Sequence, residues 1–313
     1  MLYSDHHGIY ERFAKDPAVI RIGDTYLLYH SSWIAGETPE PKKRLTIGIA
    51  TSEDMERWEF VGFVPLEQEC ERKGIGAPAA YVEDGVVHLF YQTYGNRERD
   101  AICHATSRDG IHFEKDPTNP IFRPTEDWCC GRAIDADVVA FGNRLFLYFA
   151  TRDRDFKIQM QGCAYAPLGS DYSKERWTQA VGGSVLSPEQ PWEGKCIEAA
   201  ATLVHNDRLY LFYGGSYNCT PQQIGYAVSR DGVHFEKPLD HPFLPCGEAG
   251  DWNASESGHP YVFEDTDGRI YLFYQGSPDG GKTWIISRCE IGFRSEVPYI
   301  IQFFNQSSTE ERT

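Results

Sequence analysis

Asp16-Pro-Ala-Val-Ile20 leads into a Gly23-Asp24 turn and then into Tyr26-Leu-Leu-Tyr29. The phrase returns at intervals of about 60 residues, the sign of an internal repeat. Its other copies are Ala77-Pro-Ala-Ala-Tyr81, Asp135-Ala-Asp-Val-Val139, Glu198-Ala-Ala-Ala-Thr202 and His259-Pro-Tyr-Val-Phe263. Each runs into a turn: Asp84-Gly85, Gly142-Asn143, Asn206-Asp207 and Asp265-Thr-Asp-Gly268. Aromatic stretches follow: His88-Leu-Phe-Tyr91, Phe146-Leu-Tyr-Phe149, Tyr210-Leu-Phe-Tyr213 and Tyr271-Leu-Phe-Tyr274. The turn residues tolerate positive φ and suit hairpins. Each opener therefore stands at the start of a first strand, and the aromatic stretch is the second strand coming back.

Third strands follow at Leu45–Thr51, Ala101–Thr106, Gln161–Tyr165, Gln223–Val228 and Thr283–Arg288. Outer strands come next, entered through Ser107-Arg-Asp-Gly-Ile-His-Phe-Glu114 and its near copy Ser229-Arg-Asp-Gly-Val-His-Phe-Glu236. In the last unit the outer strand falls at Tyr299–Phe304. Four antiparallel strands per unit, five times over, predict an all-β, five-bladed β-propeller. A two-sheet sandwich has no need of such a register. Residues 1–306 form one domain in this reading, with blades starting near 16, 77, 135, 198 and 259 and a flexible tail over 307–313.

The chain of 313 residues carries a net charge of −16, which argues against nucleic acid and anionic membrane surfaces as partners. Aromatic residues make up 14%, suiting both strands and sugar platforms. Nine cysteines without CxxC spacing read as reduced thiols rather than a disulfide scaffold or zinc site. Met1-Leu-Tyr-Ser-Asp-His-His7 has neither the basic nor the apolar region of a signal peptide, and no run is long enough to span a bilayer. A cytoplasmic location is expected, with no organic cofactor; the oligomeric state is left open.

In a propeller the inner strands line a central channel, and equivalent ends converge at one mouth. Asp16, Asp135, Glu198 and His259 are therefore expected to ring a small axial pocket, with Ala77 leaving one side free. Crowded, partly desolvated carboxylates cannot all ionise freely, so one becomes a base and another stays protonated. Singly, each acid would pass for a turn residue; in one register they point to catalysis. Asp137 lies two residues past Asp135, on the same face of a regular strand, and is a candidate to bind a sugar hydroxyl. Trp128, Trp192 and Trp252 each precede a phrase by six or seven residues. They read either as packing between blades or, for Trp128, as a rim aromatic stacking on sugar. Loop residues Trp33 and Arg152 are further substrate-binding candidates. His6, His7, Tyr10 and Arg12 stand close enough in sequence to Asp16 to reach the pocket mouth.

Asp16-Pro, Ile134-Asp135, Ile197-Glu198-Ala and Gly258-His259, in this order, resemble the motif series of glycoside hydrolase family 43, over about residues 10 to 294. The resemblance implies a five-bladed, inverting glycosidase of the arabinofuranosidase, xylosidase or arabinanase kind, and the first expectation is exo action on arabinose- or xylose-containing oligosaccharides. It makes Asp16 the general base, Asp135 the modulator of the acid and Glu198 the general acid. His259 becomes the axial histidine beside substrate, contacting through water a calcium or sodium ion in the channel. Inversion requires base and acid to stand about 6.5–9.5 Å apart. Two departures stand out: Asp135 is followed by Ala rather than Pro, and Glu198 by Ala199-Ala200. The Trp phrases and Ser-Arg-Asp-Gly turns also resemble families 32, 117 and 130. A glycoside phosphorylase therefore remains open, with Arg12, Arg132 and Arg152 as phosphate-binding candidates. So does a non-catalytic carbohydrate-binding propeller.

Overall fold

Five four-stranded antiparallel sheets, each with its strands in chain order, make up the molecule. The computed structural model describes residues 1–36, 41–125 and 127–304. The tail expected over 307–313 lies outside the described residues. The inner strands, Lys15–Ile22, Ile75–Glu83, Ile134–Phe141, Ile197–His205 and Glu256–Glu264, touch one another in a closed ring. The second strands bury the repeated aromatics, among them Tyr29, Tyr91, Tyr148, Tyr213 and Tyr274. The hairpins form as their residues dictate: Asp84-Gly85 and Asn206-Asp207 hold positive φ at both turn positions, which matches the twist of the strands they join. Outer strands are only two residues long in blades two, three and four. Short edges of this kind protect a propeller from pairing with other chains.

The near-verbatim Ser-Arg-Asp-Gly turns serve packing. Asp109 Oδ1 accepts the backbone N–H groups of Ile111 and His112. Gly110 turns with φ 72° and offers its carbonyl to Tyr29 Oη of the preceding blade at 2.8 Å. Gly232 does the same for Tyr148 at 2.7 Å. A side chain at Gly110 would collide with Leu27 and Tyr29.

Every inner strand breaks its ladder at one equivalent point. Two residues face one partner at 16–17, 77–78, 135–136, 199–200 and 259–260. The first residue of each bulge is left-handed: Asp16 φ 54°, Ala77 45°, Asp135 49°, Ala199 56° and His259 44°. Residues with a Cβ seldom adopt this conformation, so five in one register mark a built feature. Each bulge N–H is held by a side chain of the preceding blade. Gln275 Oε1 accepts from Asp16 at 2.9 Å, Ser31 Oγ from Ala77 at 2.8 Å, Gln92 Oε1 from Asp135 at 2.7 Å and Gln222 Oε1 from His259 at 3.1 Å. Gln161, with its amide oxygen turned toward blade four, accepts from Ala199 at 3.3 Å. These bonds tie the blades into a circle and satisfy donors that the bulges take out of the sheet.

The bulges correct one expectation. Asp16, Asp135 and His259 are bulge residues, but in blade four that position belongs to Ala199. Glu198 stands one residue earlier, equivalent to Lys15, Gly76, Ile134 and Gly258.

Candidate active site

The bulges re-aim side chains toward the axis, as bulges beside functional sites do. A cavity of about 260 Å³ opens there, lined by Asp16, Asp135, Glu198 and His259. Ala77 is absent from its wall, and Leu45, Gln92 and Tyr94 line that side instead. All four expected residues are thus brought together, three from bulge positions and Glu198 from the position before.

His259 Nε2 lies 3.3 Å from Asp16 Oδ1 and 3.5 Å from Asp135 Oδ1. Burial works against its charge, but the two carboxylates outweigh burial and raise it to about 9. An imidazolium therefore sits between them at neutral pH. Burial also pushes Asp16 up, yet His259, the Lys15 ammonium and a hydrogen bond from Ser31 hold it below its ordinary value. Glu198 goes the other way: burial, then the neighbouring Asp135 charge, raises it to about 7. Its oxygens accept from the amides of Gln159 and Gln222, the latter at 2.7 Å. One cavity thus holds an ionised aspartate and a glutamic acid that keeps its proton near neutrality, the division that acid–base catalysis needs.

A second layer fixes these groups. Arg152 lines the cavity and donates from Nε to Gln159 Oε1 at 2.8 Å, so it aims the amide that holds Glu198. Buried Glu256 accepts from Gln275 Nε2 at 2.6 Å, and the same amide's oxygen holds the Asp16 N–H. Lys15 lines the cavity with its ammonium 4.3 Å over the Trp284 ring. Trp33 lines it too, edge-on to Tyr94 with ring centres 5.6 Å apart.

Other expectations do not hold. Asp137 is off the cavity wall: its Oδ2 accepts from Thr202 N at 2.7 Å and Thr202 Oγ1 at 2.5 Å, clamping blade three to blade four. The intervening bulge breaks the alternation that would have put it beside Asp135. Burial raises the Asp137 carboxyl to about 7. Trp128 is a packing residue. Its indole covers Gly162, where a Cβ would come within 2.9 Å of the ring. Trp192 covers Gly215 and Trp252 covers Gly276 in the same way. His6, His7 and Arg12 line a separate depression, and Tyr10 binds Lys43 at 2.5 Å, leaving Phe13 as the part of the N-terminal arm on the axial wall.

His259 turns its Nε2 toward Asp16 Oδ1 and Asp135 Oδ1, so a calcium or sodium ion in the channel would meet this side chain through water rather than by a direct bond. Among the described residues no group of three or more His, Cys, Asp or Glu is arranged to hold a metal.

The residues missed by sequence reading are chiefly amides: Gln159, Gln222, Gln275 and Gln92. Each is a buried polar residue in or next to an apolar strand, and Tyr91-Gln92 and Tyr274-Gln275 repeat the pairing. That pattern was the available signal.

Comparison with known proteins bears on the family and the fold. The sequence model of "Glycosyl hydrolases family 43" matches residues 7–291. A solved thermostable family-43 glycoside hydrolase superposes with a TM-score of 0.76, at 20% identity, covering 99% of both chains. A mutant α-L-arabinanase of Cellvibrio cellulosa superposes at 0.66, with 16% identity over 92% of this chain and 94% of that one. At such identities these likenesses establish the fold. In sequence, an uncharacterised Mycobacterium tuberculosis protein is 26% identical over 213 residues, 63% of this chain and 65% of that relative's length. A β-1,2-mannobiose phosphorylase of Thermoanaerobacter is 32% identical over 127 residues, 35% of this chain and 39% of its own.

Proposed function

The chain belongs to glycosyl hydrolase family 43, and from that premise we propose that it is an inverting, exo-acting glycosidase of arabinose- or xylose-containing oligosaccharides. The observation that carries the reading is that one cavity holds Asp16 and Glu198 in opposite settings: Asp16 lies 3.3 Å from His259 Nε2, while Glu198 is buried with only the Gln159 and Gln222 amides bonded to it. Asp16 takes a proton from water as the water oxygen bonds to the anomeric carbon. Glu198 gives its proton to the leaving oxygen as the glycosidic bond breaks. Asp135 keeps Glu198 protonated by its charge, and His259 keeps Asp16 ionised. Attack from the face opposite the leaving group inverts the anomeric centre. The cavity of about 260 Å³ falls just below the usual range of roughly 300–1,000 Å³ for ligand pockets, which suits a terminal sugar unit better than an internal stretch of polymer. The arabinanase likeness and the family support the pentose class.

A second reading, phosphorolysis, is favoured by one observation. Lys15, Arg132 and Arg152 all line the cavity, and Arg132 Nε is buried without a hydrogen-bond partner. Phosphate would then replace water as the nucleophile, as a partial relative's name suggests. Sugar release from aryl pentosides, followed by NMR with and without inorganic phosphate, separates the two. Phosphate-free release of the inverted anomer supports hydrolysis. Strict phosphate dependence with a sugar 1-phosphate product supports phosphorolysis, and a retained anomer overturns the assignment of Asp16 as the base that activates water.

A further inference from the structure

Next to the axial cavity lies a larger cleft of about 800 Å³, and the two share Trp33 and Tyr94 in their walls. The chain is strongly acidic, yet the described residues lining this cleft include Lys42, Lys43, Arg72, Lys73 and Arg99 against one carboxylate, Glu69. Arg72 is 3.4 Å from Glu69, both well exposed, and Lys43 is spent on Tyr10 and on the Trp33 face at 4.5 Å. Lys42, Lys73 and Arg99 remain as exposed cations with no ion pair to an acid among the described residues, the last two on the wall beside Tyr94. Lys73 is held in place along its stem, which packs against Gly95.

A neutral saccharide gives such a cleft nothing to neutralise. The cations would repel one another, and the aromatic pair alone would serve for stacking. We infer that the cleft binds an anionic substituent, a carboxylate or a phosphate ester, on the part of the substrate that projects out of the axial cavity past Trp33 and Tyr94. This inference rests on the glycosidase reading, since it takes the axial cavity as the seat of the sugar from which the rest of the substrate projects past Trp33 and Tyr94. Guanidinium and ammonium groups bind carboxylate and phosphate through charge-assisted hydrogen bonds, which are stronger than neutral ones. Because the cations are exposed, salt will weaken the preference.

The test is calorimetric binding to the full chain carrying Glu198→Gln, with three disaccharides of equal size: xylobiose, a glucuronate-bearing disaccharide and a disaccharide monophosphate. The inference expects at least one anionic sugar to bind about tenfold tighter than xylobiose at low salt. Adding Lys73→Ala and Arg99→Ala should abolish that advantage and leave xylobiose affinity unchanged. Preference for the uronate alone or the phosphate alone identifies the source, and either result supports the inference. Equal affinity for all three, no binding by either anion, or a preference that survives both substitutions overturns it. Turnover of a neutral aryl pentoside by the unmodified chain is measured separately. Its absence would sink the glycosidase reading and leave the anion result standing, and the reverse pair of outcomes would sink only the cleft.

Discussion

Glu193 and Glu198 stand five residues apart, both buried, and the chain treats them in opposite ways. Glu193 is saturated: Tyr213 Oη donates to it at 2.6 Å, Lys237 Nζ at 2.9 Å, and the N–H groups of Glu189 and Gln190 at 2.6 and 2.8 Å. Its copy Glu71, ahead of blade two, has the same four partners in Tyr91, Lys115, Glu67 and Gln68. Glu198 receives only two amide N–H groups, has no cation bonded to it and faces the Asp135 charge. The lesson is that a carboxylate repeated with its full set of partners belongs to the architecture. The carboxylate that occurs once, with two amides and no cation bonded to it, is the one left free to give up a proton.

The comparison breaks most sharply at Glu198. Glu198→Gln keeps the shape and the amide contacts but removes the acid, so turnover should fall by about 10³-fold with thermal stability little changed. Near-normal turnover would end the assignment. Lys237→Met attacks the other member of the pair. It strands Glu193 as an unpaired buried charge and should cost about 3–5 kcal/mol in denaturant unfolding. The loss should shrink in the Glu193→Gln/Lys237→Met double variant, and a loss below about 1 kcal/mol in the single variant would mean that the pair is not the clamp it looks.

The smallest effect is a displacement along the pH axis. Activity needs Glu198 protonated and Asp16 ionised. With Asp16 below its ordinary value and Glu198 near 7, activity should hold across mildly acidic pH and fall as pH rises through about 7. Asp135→Asn removes a charge that raises Glu198, so the alkaline limb of kcat/KM should move down by about one pH unit. An unmoved limb would assign it to another group.

Much of the architecture was legible because the hairpin turns and aromatic second strands repeat, and a repeat carries its own register. The convergence of Asp16, Asp135, Glu198 and His259 was legible for the same reason. The exact positions in blade four were not. Glu198-Ala-Ala-Ala offers no clue that Ala199 takes the left-handed bulge position, since alanine ordinarily avoids it. Asp137 was misplaced because alternation holds only in an unbroken strand, and a bulge intervenes. Trp128 could not be told from a sugar platform by residue type; what decides is Gly162, which makes room for its ring. The glutamines that hold the bulges escaped because each looks like an ordinary polar residue until the preceding blade is packed against it.

The central claim is that Glu198 keeps its proton near neutrality while Asp16 does not. Carbon-detected NMR titration of the glutamate side-chain carboxyls, with Glu198→Gln identifying the resonance, measures it directly. The account predicts that the Glu198 signal titrates near pH 7. A midpoint at the ordinary glutamate value of 4.5 would contradict it.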